Sequence, residues 1–471
     1  MREFDVVVIG GGAVGENAAG YAVRAGLSAV LVEAELVGGE CSYWACMPSK
    51  ALLRTGHAVA AARRLPGVTA EFDPAAVLTR RDYITSHWDD ASQIEWARGA
   101  GITVLRGRAR LTGERTVAVE GPAGPADLTA RHAVVLCTGS VPVRPPVAGL
   151  DEVRTWTSRD ATAAKQVPAR LGVLGGGVVG CELAQAYRRL GSEVVLVQRG
   201  PRLLASMEEL AGERVAAALR EEGVDLRLDA SLDAVATAGA ATGTAIALTI
   251  GEDTVVVDEL LLATGRRPVT HGLGLETVGL DPDAPLHVDD SGLVGGVPGR
   301  WLYAAGDVTG RAPLTHQGKY AARIVGAVIA ARASGEEADT GPWGEHAATA
   351  DHGAVPQVVF TDPEVASVGR TAAQARAAGL DVRAVDLDIA VGGSALHADG
   401  YSGAARMVVD EQRGVLVGVT FVGQDVAEML HAATIAIVGE VSLSRLWHAV
   451  PAYPTISEVW LRLLEAYRSG A

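Results

Sequence analysis

Two cysteines and a lysine, in the run Cys41-Ser42-Tyr43-Trp44-Ala45-Cys46-Met47-Pro48-Ser49-Lys50, are the residues whose spacing points most directly to chemistry. Two thiols five residues apart can pass an electron pair by closing and opening a disulfide, and the run follows directly on a glycine-rich, nucleotide-binding pattern. In an ideal helix, residues i and i+5 lie about 7.5 Å apart along the axis. A disulfide tolerates only about 4.4–6.8 Å between Cα atoms. The backbone between the two cysteines is therefore expected to be a loop or a distorted first turn. The alternative use of the pair is as two buried structural thiols. Lys50 supports the redox reading: the chain has three lysines, Lys50, Lys165 and Lys319, and its positive charge is otherwise arginine. A compact ammonium differs from a planar guanidinium in shape and in how readily its pKa moves.

The elements that must position this run are legible on either side of it. Asp5 to Ile9 is a continuous β-branched stretch, as in a buried parallel strand. It leads into Gly10-Gly11-Gly12-Ala13-Val14-Gly15, then a helical stretch to Gly26, then a second strand from Ser28 to Val32 that ends in Glu33. This is the order of a dinucleotide fingerprint. Gly10 permits the tight turn, Gly12 lets the backbone approach a pyrophosphate, and Gly15 allows close helix packing. Glu33 stands where a carboxylate would take a ribose hydroxyl pair.

The pattern recurs. Leu171 to Leu174 precedes Gly175-Gly176-Gly177-Val178-Val179-Gly180, with Cys181 and Glu182 opening a helix to about Leu190. The following strand, Glu193 to Val197, ends in Gln198-Arg199 rather than an acid, with Arg202 nearby. A missing carboxylate beside arginines suits the 2′-phosphate of NADP better than the bare hydroxyl of NAD, unless these arginines are simply solvated. Two fingerprints imply two dinucleotides. A resident FAD and an exchanging nicotinamide, NADPH favoured over NADH, form the economical pairing for an electron path that ends at a disulfide.

The bulk properties agree. A length of 471 residues predicts two to four domains. A formal net charge of −15 argues against nucleic acid or an anionic membrane as partner. Four cysteines do not make a disulfide scaffold, so a cytoplasmic setting is expected. The short apolar run Val6 to Ile9, flanked by Glu3 and Asp5, is neither signal peptide nor membrane span. Cys137, at a strand end, and Cys181 read as packing thiols. No metal site is expected.

Along almost its whole length the chain resembles the pyridine nucleotide–disulfide oxidoreductases. Gly38-Gly39-Glu40-Cys41 through Lys50 resembles their redox motif. Cys137-Thr138-Gly139-Ser140 and Ala263-Thr264-Gly265-Arg266-Arg267-Pro268 resemble their two strand-end Thr-Gly turns. Ala304-Ala305-Gly306-Asp307 is similar to their second flavin motif, and Val355 to Glu364 to the opening of their dimer-interface domain. The resemblance implies an α/β fold: two Rossmann-like domains and a C-terminal α+β dimer-interface domain. The implied parts are 1–150 (FAD, with the redox pair), 151–270 (nicotinamide), 271–345 (return to the FAD domain) and 346–471 (interface of a homodimer). It implies that Cys46 lies against the flavin as the charge-transfer thiolate and that Cys41 is the interchange thiol. It pairs Lys50 with Glu182 near flavin N5, and gives Asp307 the ribityl chain. His316, after Thr315, would contact the pyrimidine end.

The resemblance fails at two places, near the C-terminus and at Tyr43 and Trp44 inside the redox motif. Family reductases carry a His-Pro motif and a glutamate near the C-terminus, reaching the partner subunit's disulfide. Here Tyr453-Pro454 and Glu458 stand in that frame. A phenol ionises near pH 10 in water, about three units too high for a base at neutral pH. General acid–base catalysis is worth roughly 10²–10⁴-fold, so turnover of an ordinary dithiol is expected to be handicapped by that factor. His448 lies five residues earlier, but nothing directs it to Cys41. Mercuric reductases also carry tyrosine here, yet use a C-terminal cysteine pair, and the last cysteine of this chain is Cys181. Tyr43 and Trp44, between the cysteines, either narrow the pocket or stack on a flat acceptor, or else pack inward. The expected activity is NAD(P)H- and FAD-dependent reduction of a disulfide or other thiol-reactive acceptor through Cys41 and Cys46. The alternatives are direct reduction of a quinone or metal ion by flavin, and a flavin-binding redox sensor with little turnover.

Overall fold

The computed structural model describes residues 2–240 and 243–470. By internal contacts the chain divides into two compact units, residues 1–48, 82–142 and 266–351 in one, and 49–81, 143–265 and 352–471 in the other. Both are of mixed α/β type.

The first unit is built on a seven-stranded sheet. Its centre is strand Arg2–Ile9, parallel to Ala29–Glu33 on one side and Ala126–Leu136 on the other. Thr103–Arg106 and Leu302–Ala304 extend the parallel part, and an antiparallel hairpin, Arg108–Gly113 with Thr116–Glu120, completes it. The β-branched run expected of a doubly covered strand divides by side-chain alternation. Val6 and Val8 join one apolar core, with Leu31 and Val135; Val7 and Ile9 join the other, with Val30 and Val134. Helices Ala13–Arg24 and Thr315–Ser334 pack together on the first of these faces.

The second unit holds three sheets. Four parallel strands run in the order Asp225–Arg227, Glu193–Val197, Arg170–Leu174, Glu259–Leu262. A three-stranded antiparallel sheet spans Ala234–Ala240, Gly243–Ile250 and Asp253–Val257. The third sheet, of five antiparallel strands, has the order Pro356–Val359, Glu364–Gly369, Val415–Gly423, Ala404–Asp410, Val382–Asp388. One apolar core runs from helix Val178–Leu190 through Leu52, Leu53 and Tyr187 to Val359, Val365 and Val422.

Candidate active site

The first glycine turn is built as its sequence requires. Gly10 has φ +104°, and a Cβ there would lie 2.3 Å from the carbonyl oxygen of Cys137. A Cβ on Gly15 would lie 1.8 Å from the carbonyl oxygen of Gly10. Gly12 ends the turn as the N-cap of helix Ala13–Arg24 without any side-chain cap. The unpaired N–H groups of that helix end are ready-made for phosphate. Glu33 holds the turn closed: one carboxylate oxygen accepts from Gly11 N–H at 2.6 Å and the other from Glu35 N–H at 2.6 Å. Gly38 hydrogen-bonds back to Gly11, so the redox run is laid directly on the turn.

That run leaves helical geometry where the disulfide argument required. Gly39–Tyr43 is a short helix, Trp44 breaks it at φ −136°, and a new helix, Cys46–Arg63, begins at the second cysteine. Both cysteines stand in the thiol form, and each has a partner. The Cys41 thiol is pushed far above its ordinary range, first by its hydrogen bond with Cys46 and then by burial, while Thr315 and Lys319 pull it the other way. Cys46 Sγ lies 3.3 Å from the hydroxyl of Thr315, the first residue of helix Thr315–Ser334. The aromatic pair separates: Tyr43 is buried, its phenol pushed up to about 12 by burial, while Trp44 stays half-buried, edge-on to it at 5.8 Å.

Thr138 donates its hydroxyl to the carbonyl of Val269, and Gly139 takes φ +73°. Gly306, at φ +80°, turns the chain into Asp307, whose carboxylate accepts from Ser140 at 2.6 Å. Arg266 holds Ser140 through its hydroxyl and carbonyl, and pairs with Glu40 at 3.5 Å. His316 is exposed, one position past Thr315. The bare helix terminus at Gly12, the carboxylates of Glu33 and Asp307 and the adjacent cysteine pair fit FAD.

Within the second unit, the second turn repeats the first. Gly175 has φ +112°, and a Cβ on Gly180 would lie 1.8 Å from its carbonyl oxygen. Gly177 caps helix Val178–Leu190 with nothing within 4 Å of where its Cβ would be. Gln198 takes the place of Glu33, accepting from Gly176 N–H at 2.9 Å. Arg199 is exposed, Arg202 reaches the carbonyl of Ala205, and Gly265 has φ +115°. Another uncapped helix end facing open space fits the pyrophosphate of a nicotinamide dinucleotide.

Lys50 meets Glu182 at 2.6 Å, and Glu182, 3% exposed, also accepts from Phe360 N–H at 2.9 Å. The Lys50 ammonium lies 4.9 Å from the Phe360 ring centroid. Glu182 is the buried member of the pair and Lys50 the half-exposed one, so removing Lys50 would leave a buried carboxylate without its charge partner. Tyr453 is 78% exposed and touches the position of Gly392. Glu458 pairs instead with Arg462 at 2.7 Å. Among the described residues, no cluster of His, Cys, Asp and Glu has the form of a metal site, and no helix is long and apolar enough to cross a membrane.

Sequence reasoning missed Glu16. It follows Gly15 immediately, is buried, and accepts from Gln93 at 3.3 Å; burial raises it to about 7, against the pull of Lys319. The signal was a carboxylate inside the first turn of a helix otherwise lined with alanine and glycine. The Arg266–Ser140–Asp307 chain was also missed, because its members are far apart in sequence.

Two uncapped glycine turns and a thiol pair together define an enzyme that moves electrons between a pyridine nucleotide and sulfur. The chain belongs to the pyridine nucleotide–disulphide oxidoreductases: the family model matches residues 4–335, and the family's dimerisation domain matches 355–463. Mercuric reductase of Lysinibacillus sphaericus is 30% identical over 97% of this chain and 81% of its own length. Dihydrolipoyl dehydrogenase of Thermus scotoductus is 32% identical over 100% of this chain and 99% of its own. Among solved structures, the Cu(II) complex of the HOCl-induced flavoprotein disulfide reductase RclA from Escherichia coli superposes with TM-score 0.83 at 24% identity, over 99% of each chain. LpdA from Mycobacterium tuberculosis gives 0.81 at 24%, covering 99% of this chain and 100% of its own. At that identity the two structures speak to fold alone. The family uses FAD and NAD(P)H, and its members are enzymes acting on sulfur groups.

Proposed function

We propose that this chain reduces a disulfide or another thiol-reactive acceptor at the expense of NADPH, with Cys41 and Cys46 relaying the electron pair. The observation that carries this reading is the Cys41–Cys46 thiol contact at the start of helix Thr315–Ser334, with the Thr315 hydroxyl on Cys46. Bound FAD would supply the two electrons that open the disulfide. Thr315 steadies the Cys46 sulfur, and the positive end of its helix favours the thiolate there. Cys41, whose thiol is held protonated by its contact with Cys46 and by burial, is then the one that attacks an acceptor after losing its proton. Lys50 lies one helical turn beyond Cys46 and is held by Glu182. Gly10, Gly12, Gly15, Glu33, Gly39, Lys50, Thr138, Gly139, Gly306, Asp307, Thr315 and His316 are proposed to hold FAD. Gly175, Gly177, Gly180, Gln198, Arg199, Arg202 and Gly265 are proposed to hold the nicotinamide dinucleotide.

NADPH is favoured over NADH because Gln198 spends its carbonyl on Gly176 and keeps its amide N–H₂ as a donor, next to the exposed Arg199. A homodimer is supported by Leu396, Ile435, Val450 and Tyr453, large apolar side chains exposed within the segment that matches the dimerisation domain. We also propose domain limits near 150, 270 and 345, and a cytoplasmic location. Tyr453, in place of the expected histidine, would deprive Cys41 of a base, so the acceptor is one that does not depend on it.

The experiment is a thiol count. Anaerobic holoenzyme receives one equivalent of NADPH, is alkylated, and is mapped by mass spectrometry. Cys41 and Cys46 should become labelled together, while Cys137 and Cys181, both buried and pushed up by burial, stay unlabelled. No new label at Cys41 or Cys46 contradicts the relay. Tyr453→His should raise disulfide reduction by about tenfold or more; no gain, with folding and flavin intact, means the pocket itself rejects small disulfides.

A further inference from the structure

Three consecutive residues without a glycine among them, Ser86, His87 and Trp88, lie in the left-handed region at φ +50°, +53° and +59°. Non-glycine residues rarely adopt that conformation singly, and a run of three is a left-handed turn. Such strain persists only where the surroundings over-determine it. The turn closes on itself, with Trp88 N–H on the Thr85 carbonyl at 2.9 Å and Asp89 N–H on the Ser86 carbonyl at 2.9 Å.

Its contacts show where it is aimed. The Trp88 indole N–H donates at 3.0 Å to the carbonyl of Tyr43. Tyr43 is the last residue of the short helix that carries Cys41, so this carbonyl is one a helix end leaves unpaired. Two residues beyond Trp88, the buried Asp90 accepts the Val37 N–H at 2.7 Å and pairs with Arg106. Val37 immediately precedes Gly38 and Gly39. One five-residue segment therefore grips the Cys41-bearing loop at both ends, on 37 and on 43. Cys46, in the next helix, is outside the grip.

We infer that Trp88 and Asp90 are positioning residues that hold Cys41 against Cys46, and so set how readily the pair closes into a disulfide. The inference rests on the reading of Cys41 and Cys46 as a redox pair. Holding one thiol near the other raises its effective concentration and favours the closed bond. The left-handed turn is what lets the indole and the carboxylate reach the two ends of the loop from one short segment.

The test is the equilibrium of holoenzyme with glutathione. One glutathione disulfide takes up the two electrons and two protons released as the Cys41–Cys46 bond forms, giving two glutathione thiols. The closed fraction is read by alkylation and mass spectrometry. Trp88→Phe keeps an aromatic side chain but loses the N–H together with the pyrrole part of the indole; it should lower the closing constant about fivefold. Asp90→Ala should lower it about tenfold, about 30 mV for a two-electron couple, and Asp90→Asn, which keeps an acceptor, should recover most of that. Trp96→Phe, at an exposed position on the following helix, is the control and should leave the constant unchanged. Melting temperatures measured alongside separate a general loss of stability from a change at the pair. A wild type that closes the bond while Trp88→Phe and Asp90→Ala close it equally well overturns the inference alone. A wild type with no Cys41–Cys46 bond at any glutathione ratio overturns the redox-pair reading and the inference with it.

Discussion

The two glycine turns are near copies in backbone and differ in what lies over them. Gly10 and Gly175 share φ values of +104° and +112°, and a Cβ on Gly15 or Gly180 would lie 1.8 Å from the carbonyl oxygen of Gly10 or Gly175. Each turn is closed from the end of the next strand, by Glu33 in one case and Gln198 in the other. Over the first turn, however, Gly38 hydrogen-bonds to Gly11 and bridges Gly12, and a Cβ on Gly39 would come within 2.7 Å of the Gly12 Cα. Over the second, Gly177 faces open space. The same turn is thus covered in the first case and open in the second. A covered site suits a resident FAD, and an open one suits a dinucleotide that must exchange at every turnover.

The comparison is most severely tested at the third glycines. Gly15→Ala should abolish flavin retention, because its methyl cannot coexist with the Gly10 carbonyl. Gly180→Ala should leave flavin bound and cut NADPH-dependent turnover by roughly 10²-fold or more, about 3 kcal/mol in barrier. Flavin absorbance and steady-state rates on the same samples check both, and flavin loss in Gly180→Ala would break the division of labour. The closing residues come next. Gln198→Glu puts a carboxylate where a 2′-phosphate is expected and should lower kcat/KM for NADPH by about tenfold or more while sparing NADH. Arg199→Ala should lose a similar factor for NADPH alone. Equal losses with both nucleotides would remove the assigned preference.

The last effect is on stability rather than turnover, and concerns the residue after each third glycine, Glu16 in one turn and Cys181 in the other. Burial holds the Glu16 carboxyl at about 7 in the folded protein, above its ordinary 4.5. The unfolded chain therefore ionises first as pH rises, and stability falls between about 4.5 and 7 and stays lowered above that. The whole effect is at most about 3 kcal/mol. Glu16→Gln should accordingly gain melting temperature at pH 8 relative to wild type and gain nothing at pH 4. An equal gain at both values would mean that the substitution acts through packing rather than charge.

The legibility of these features followed their range in sequence. The glycine turns, their strands and helices, and the break between Cys41 and Cys46 were readable because each is decided within a few residues by sterics. The strand boundary at Glu33 moved by one residue, since the chain continues pairing with Arg106. Tyr43 and Trp44 could not be told apart in advance. Their adjacent positions point different ways only once the short helix ends at Tyr43 and the chain kinks at Trp44. Thr315 and His316 posed the same problem: the phase of a helix at its first residue decides which side chain reaches Cys46, and nothing local sets it. The Ser86–Asp90 grip on residues 37 and 43, and the Arg266–Ser140–Asp307 chain, join segments some 45 to 170 residues apart, so only the fold reveals them.

If electrons leave through Cys41, NADPH oxidation by wild type and Cys41→Ser against one panel of disulfides and quinones will show it. Cys41→Ser should keep its flavin and lose the best disulfide activity to background. A Cys41→Ser enzyme that retains its best activity rules the relay out, because the acceptor would then draw electrons without the thiol pair.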